Sequence, residues 1–229
     1  MTMAKRMGRA LLAALRKEPA APPVSREGVL GNPQRRRVLQ YLCLHPCGSI
    51  AEAAKALGVS PATVRFHALR LAAAEYVVAV GPSFLPTGLV DGEDVPMFEA
   101  LATAGVRRLL AAAFANTGLT VTELAEAVGM SRQGTAALLD SFESLGLVSR
   151  VADGRFARVY PTRALEERRD RAKPRRKQFC DSLLRRLESE GEAPEVLRKT
   201  DAVVHVRFGR GTSKATLELS VEPFSALLL

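Results

Sequence analysis

Apolar positions recur at helical spacing over two stretches of the chain, from Arg36 to Leu71 and from Arg107 to Phe142, and each stretch then passes into a short β-rich run. Residues three and four apart share one face of a helix. On the last helix of the first stretch, Val64, His67, Ala68 and Leu71 make the inward face. On its counterpart in the second, Thr135, Leu138, Leu139 and Phe142 do. The β-rich runs are Tyr76 to Val80, ending at Gly81-Pro82, and Leu147 to Val151. After the latter, Ala152-Asp153-Gly154 reads as a hairpin turn and Arg155 to Tyr160 as the returning strand. The first return, SFLPTGLV, is shorter or irregular. Further on, Pro174 divides two helical segments, and Phe179, Cys180, Leu183, Leu184 and Leu187 form a stripe on the second of them. Residues 202–221 alternate as two strands around a glycine-rich turn, and the ending PFSALLL is expected to be buried with that hairpin.

Offset by 71 residues, the two stretches align without a gap: Arg36 and Arg37 fall on Arg107 and Arg108, Glu52 on Glu123, Gly58 on Gly129, Ser60 on Ser131. The punctuation repeats as well. Ser49 with Glu52, and Thr120 with Glu123, have capping-box spacing, in which the hydroxyl and the carboxylate each satisfy a backbone N–H. Gly58 and Gly129 stand where the helix should end in a left-handed turn. Ser60 and Ser131 then cap a third helix, with Pro61 at its first position.

Three helices with a glycine turn before the third, followed by a β-hairpin, make a helix-turn-helix with a wing. GNPQRRRVLQYL, SIAEAAKALGVSPATVRFHALRL and GLVSRVADGRFARVYP resemble the ArsR-like winged-helix regulators, notably the tandem and fused forms of archaea. The resemblance spans roughly residues 28–162 and implies duplex DNA binding in transcription regulation. Two departures stand out: neither copy has the paired cysteines of metal-sensing members near its recognition helix, and Ala136 and Ala137 replace the polar groups a DNA reader often presents.

Charge supports an acidic partner. The 229 residues carry 33 Lys and Arg against 24 Asp and Glu, for a net charge of +9. The excess lies at the margins: residues 1–37 hold nine basic and two acidic side chains, residues 91–99 net −4 and residues 163–199 net +4. Only 5% of residues are aromatic, which disfavours single-strand stacking and leaves duplex binding open.

In the first copy the outward face of the third helix presents Ala62, Thr63, Arg65, Phe66 and Arg70 beside the cap Ser60. Arg65 and Thr63 suit base edges and Arg70 a phosphate, or the arginines form a solvated face. In the second copy Ser131, Arg132 and Gln133 open the helix, Arg132 suiting guanine and Gln133 adenine, while Asp140 would repel phosphate. Its wing carries Arg150, Arg155 and Arg158; the first wing has no basic residue. The expected division of labour gives base reading to the first copy and backbone contact to the second, unless the second docks on another protein or dimerises.

Other candidates are weaker. Cys43-x-His45-x-Cys47 contains ligand-type residues, but Pro46 interrupts it, and buried thiols are the expectation; His67 and His205 read as core. No catalytic residues, cofactor or metal are expected. The start, residues 1–27, reads as a basic helix and proline-rich linker, its short apolar patch broken by Arg16 and Lys17. With scattered cysteines and no membrane-length apolar run, a cytoplasmic, nucleoid-associated protein is expected. The fold class is mainly α with small β wings: winged helices over 28–90 and 100–162, an acidic linker over 91–99, and C-terminal helices with a hairpin over 163–229. The partners expected are double-stranded DNA and no membrane. The stripe within residues 175–190 is expected either to pack on the second winged helix or to pair in a homodimer, and the basic run Arg168 to Lys177 to meet phosphates or solvent. The alternative function is a winged-helix adaptor in a transcription or chromosome-segregation complex.

Overall fold

The computed structural model describes residues 28–210 and 213–228. The basic N-terminal helix expected over residues 1–27, with Lys5, Arg6 and Arg9, lies outside them.

Helices α1 (Pro33–Leu44), α2 (Ile50–Leu57) and α3 (Pro61–Ala73) lead into the hairpin β1 (Val77–Val80) and β2 (Ser83–Pro86). After α4 (Val95–Ala100) the order returns as α5 (Ala104–Ala115), β3 (Leu119–Thr120), α6 (Val121–Val128), α7 (Arg132–Ser144) and the hairpin β4 (Val148–Asp153) and β5 (Phe156–Pro161). Helices α8 (Ala164–Arg171) and α9 (Lys173–Ser189) then precede β6 (Glu195–Lys199), β7 (Val203–Arg210) and β8 (Ser213–Ser220). The sheets are β1-β2, β3-β5-β4 and β6-β7-β8, with antiparallel neighbours. No helix among the described residues is long and apolar enough to cross a membrane.

The sequence repeat has a physical cause at several positions. Arg36 donates to the carbonyls of Leu30 and Gly31, and Arg107 donates to those of Leu101 and Ala102, each pinning the preceding turn onto its own helix. Gly58 and Gly129 end α2 and α6 at φ +67° and +69°, a region glycine enters without steric cost. Two equivalent positions differ in residue but not in backbone. Cys47 at φ +58° stands where the second copy has Gly118 at +82°, and Glu75 at +57° where it has Gly146 at +72°.

The capping box holds in one copy only. Thr120 and Glu123 satisfy each other's backbone N–H groups. Ser49 accepts from the Glu52 N–H, but the Glu52 carboxylate turns away to the second copy. There its Oε1 accepts the N–H of Ala104 at 2.7 Å and its Oε2 pairs with Arg107 at 3.3 Å. Thr103, the N-cap of α5, makes no side-chain cap bond, whereas its counterpart Asn32 caps α1 through two. Glu52 supplies from outside what α5 lacks.

One apolar core runs through both copies and the C-terminal elements, joining Leu39, Leu71, Leu110 and Phe142 to Leu183, Val206 and Leu217. Burying each such leucine contributes ~2 kcal/mol. Four expectations are corrected here. Residues 91–99 are not a bare linker: Met97 and Phe98 on α4 are fully buried, and the Phe98 ring meets Phe224 edge-on at 5.3 Å. Nor is the basic run Arg168 to Lys177 available to phosphates as a whole. Buried Asp94 pairs with Arg168 at 2.8 Å and Arg171 at 3.4 Å, Asp91 pairs with Arg175, and Arg176 is buried against Glu222.

Third, the α9 stripe does not face the second copy or an open seam. Phe179, Cys180, Leu183 and Leu187 are buried, and Phe179 and Leu183 share a cleft wall with Leu39 and Tyr76 of the first copy. Arg186 fastens the same junction, donating to the Ala74 carbonyl and pairing with Glu75 at 3.0 Å. The exposed residues over 175–190 are polar, including Lys177, Gln178, Ser182 and Arg185, and Leu184 is half-buried. Fourth, His205 is half-buried on the outer face of its sheet, 3.8 Å from Glu218, because strand alternation turns Val204, Val206 and Phe208 inward instead. His67 is buried as expected. The C-terminal strands cover the first copy: Gln40 on α1 donates to the Glu218 carbonyl of β8, and Leu217 and Leu219 are fully buried. The unforeseen β6 adds an exposed edge strand.

Candidate nucleic-acid interface

Helix α3 begins where Ser60 accepts the Thr63 N–H at 3.1 Å, with Pro61 in the first turn. That start fixes the rotation of the helix. Val64, His67, Ala68 and Leu71 are buried, so Ala62, Arg65 and Phe66 are exposed and Thr63 and Arg70 half-exposed. The Ser60 and Thr63 hydroxyls lie 2.8 Å apart, so both serve the cap before any ligand. Arg70 lies over the Phe66 ring at 5.4 Å, a cation–π contact that holds the two side chains together on the surface. The α3 sequence contains no acidic residue.

The first hairpin is short and regular, its four-residue strands paired from Val77 with Pro86 to Val80 with Ser83. Phe84 and Leu85 are buried, so this wing packs into the core.

Helix α7 repeats the capping geometry, Ser131 accepting the Gly134 N–H at 3.1 Å, and leaves Arg132 and Gln133 exposed at its start. Its second half is different. Arg150 on β4 is not turned to solvent but bonds Asp140 at 2.5 Å and Glu143 at 2.6 and 2.9 Å, clamping the wing to the helix. These bonds hold Glu143 below the usual carboxylate range and raise Arg150 above its own. Arg158 is likewise engaged, with Asp153 at 2.5 Å and the Gly118 carbonyl at 2.9 Å. Arg155 occupies the two-residue turn rather than the strand, over the Phe156 ring at 4.9 Å, and forms no ion pair among the described residues.

Of the three wing arginines, then, the structure leaves Arg155 exposed at the tip, over Phe156, and ties two to neighbouring carboxylates. Sequence reasoning missed the clamp, although Asp140 and Glu143 at i and i+3 on the outward face were its available signal. It also missed that Leu69 on α3, and Val151 and Phe156 on the wing, are about half exposed.

Residues 107–158 match the MarR family, which supports a winged-helix transcription-regulator domain over the second copy. The match takes in α6, α7, β4 and the first half of β5, with Arg132, Gln133, Arg150, Arg155 and Arg158. Among solved structures, the DIP2311 protein from Corynebacterium diphtheriae is similar at 18% identity and a TM-score of 0.23. The similarity covers 57% of this chain and 26% of that one, so the chain spans about a quarter of that protein's length. No curated protein matches the chain.

Proposed function

We propose that this chain binds double-stranded DNA through two tandem winged helix-turn-helix units, residues 28–90 and 100–162, as a transcription regulator. One observation carries the reading. The third helix of each unit keeps its cationic start exposed and, among the described residues, outside ion pairs, through Arg65 on α3 and Arg132 on α7, while many of the other arginines are matched by carboxylates. Arg65, Arg132 and Gln133 have the donors that read guanine and adenine edges in the major groove. Ser60, Ala62, Thr63, Phe66 and Ser131 set or border those helices, Arg70 flanks the first of them, and Arg155 reaches the backbone from the wing tip.

A second reading, in which the unit over 100–162 docks on a protein, is favoured by the acidic pair Asp140 and Glu143 and by exposed Val151 and Phe156 on that unit. Titration of the full chain against duplex at several salt concentrations separates the two. DNA binding gives log K falling linearly with log salt. In addition, Arg65→Ala costs ~1–3 kcal/mol on a selected site and little on random duplex. Absent or salt-independent binding assigns the chain to the adaptor role.

A further inference from the structure

The outward face of α3 is not simply basic. Its central line is apolar: Ala62, Phe66, Leu69 and Ala73 are all exposed at i, i+4, i+7 and i+11, with Phe66 at 52% and Leu69 at 49% of full exposure. On a helix those positions form one stripe, and Arg65 and Arg70 stand on either side of it. An exposed phenylalanine and leucine in the middle of a solvent face cost solubility and contribute nothing to the core beneath, which Val64, Ala68 and Leu71 already fill. A ligand that meets this face must offer apolar groups along a line and negative charge on both flanks. The major groove of duplex DNA offers both, as thymine 5-methyl groups between two phosphate backbones. No carboxylate on α3 opposes that approach.

Resting on the DNA-binding reading above, we infer that α3 selects thymine-containing sites by packing Phe66, with Ala62 beside it, against thymine 5-methyl groups. Arg70 supplies charge toward the backbone on one flank, and Arg65 on the other keeps the base-edge role proposed above. Thymine and uracil differ only by that methyl, so the reading can be tested without disturbing any hydrogen bond.

Full-length protein is used to select a duplex from a random pool. Each thymine of the selected site is then replaced in turn by deoxyuridine and binding measured by fluorescence anisotropy. Removing a methyl that packs on Phe66 should weaken wild-type binding about four-fold per position. Phe66→Ala should show the weakened affinity on the thymine duplex and no further loss on the uracil duplex, with only a small change in melting temperature because the side chain is half exposed. Equal wild-type affinity for thymine and uracil duplexes would overturn the inference while leaving DNA binding intact, as would a Phe66→Ala protein that still discriminates. No duplex binding by the wild type at any salt would overturn the DNA reading itself and give the stripe to a protein partner.

Discussion

Glu52 in the first copy accepts the backbone N–H of Ala104 at 2.7 Å and thereby caps the helix that opens the second. The equivalent carboxylate, Glu123, spends the same reach on its own helix. One residue type at one position of a repeat therefore does two jobs, and the difference lies in what the chain places in front of it. Behind the first carboxylate stand Ala104 and the nearly buried Arg107; the second has its own Thr120.

Removing Glu52 should therefore cost more than removing Glu123. Glu52→Ala strips a cap and leaves Arg107 without its carboxylate, and ~2 kcal/mol is the expected loss. Glu123→Ala breaks an exposed local box, with a smaller effect. Glu52→Gln, which can still accept from Ala104, should fall between. Urea unfolding of the three variants ranks them, and equal losses at both sites would remove the bridging role.

The left-handed positions give a second test, because nature has run it in one molecule. Gly146 at φ +72° has open space where a Cβ would go, so Gly146→Ala meets backbone strain alone, ~1 kcal/mol. At Gly118, φ +82°, an added Cβ would also lie 3.3 Å from the Tyr160 hydroxyl, and the loss should be larger. Conversely Glu75→Gly relieves the strain while giving up the ion pair to Arg186, and should leave stability nearly unchanged. Thermal melts decide; a Gly118→Ala protein as stable as wild type would show that Tyr160 yields.

Acid sensitivity follows from two imidazoles. Burial, then repulsion from Arg107, lowers the pKa of His45; burial, then Arg35, lowers that of His67, both from an ordinary value of 6.5. The unfolded chain thus takes up protons at a higher pH than the folded chain does. Stability is at its full value above the unfolded pKa, declines as pH falls below about 6.5, and stops declining on this account once the folded imidazoles also protonate. The denaturant midpoint should be lower at about pH 5.5 than at about pH 7.5. His45→Gln with His67→Gln should flatten that dependence, and an unchanged slope in the double variant would assign it elsewhere.

The parts of this fold legible in the sequence are those set by neighbours along the chain. Ser60 and Ser131 cap because a hydroxyl reaches an N–H three residues on, and Gly58 and Gly129 end helices because a left-handed residue belongs there. Strand alternation located β7 and β8. What was not legible depends on distant partners. Nothing near Glu52 announces Ala104, and nothing near Arg168 announces Asp94, 74 residues away. The α9 stripe was plain, but its cover, Leu39 and Tyr76, came from the opposite end of the chain. The wing shows the same limit within the site: Arg150 reads as a phosphate contact until Asp140 and Glu143 are seen to hold it.

That clamp supplies the last prediction. Arg150 is held by two carboxylates on the outward face of α7, so in the native protein its charge is already met and it releases few counterions on its own account. Arg155 at the turn has no such partner among the described residues. If the second unit touches the duplex, Arg155→Ala should flatten the slope of log K against log salt by ~1. The double variant Asp140→Asn with Glu143→Gln should do the reverse: it removes two like-charge repulsions from phosphate and frees Arg150, steepening the slope by ~1 and tightening binding to all sequences alike. Sequence preference should stay the same in both, since phosphate contacts position a protein without reading bases. A duplex affinity indifferent to both changes would mean that α7 and its wing do not approach DNA. The acidic pair and the exposed Val151 and Phe156 would then mark the second unit as the docking face for a protein, with DNA left to α3 alone.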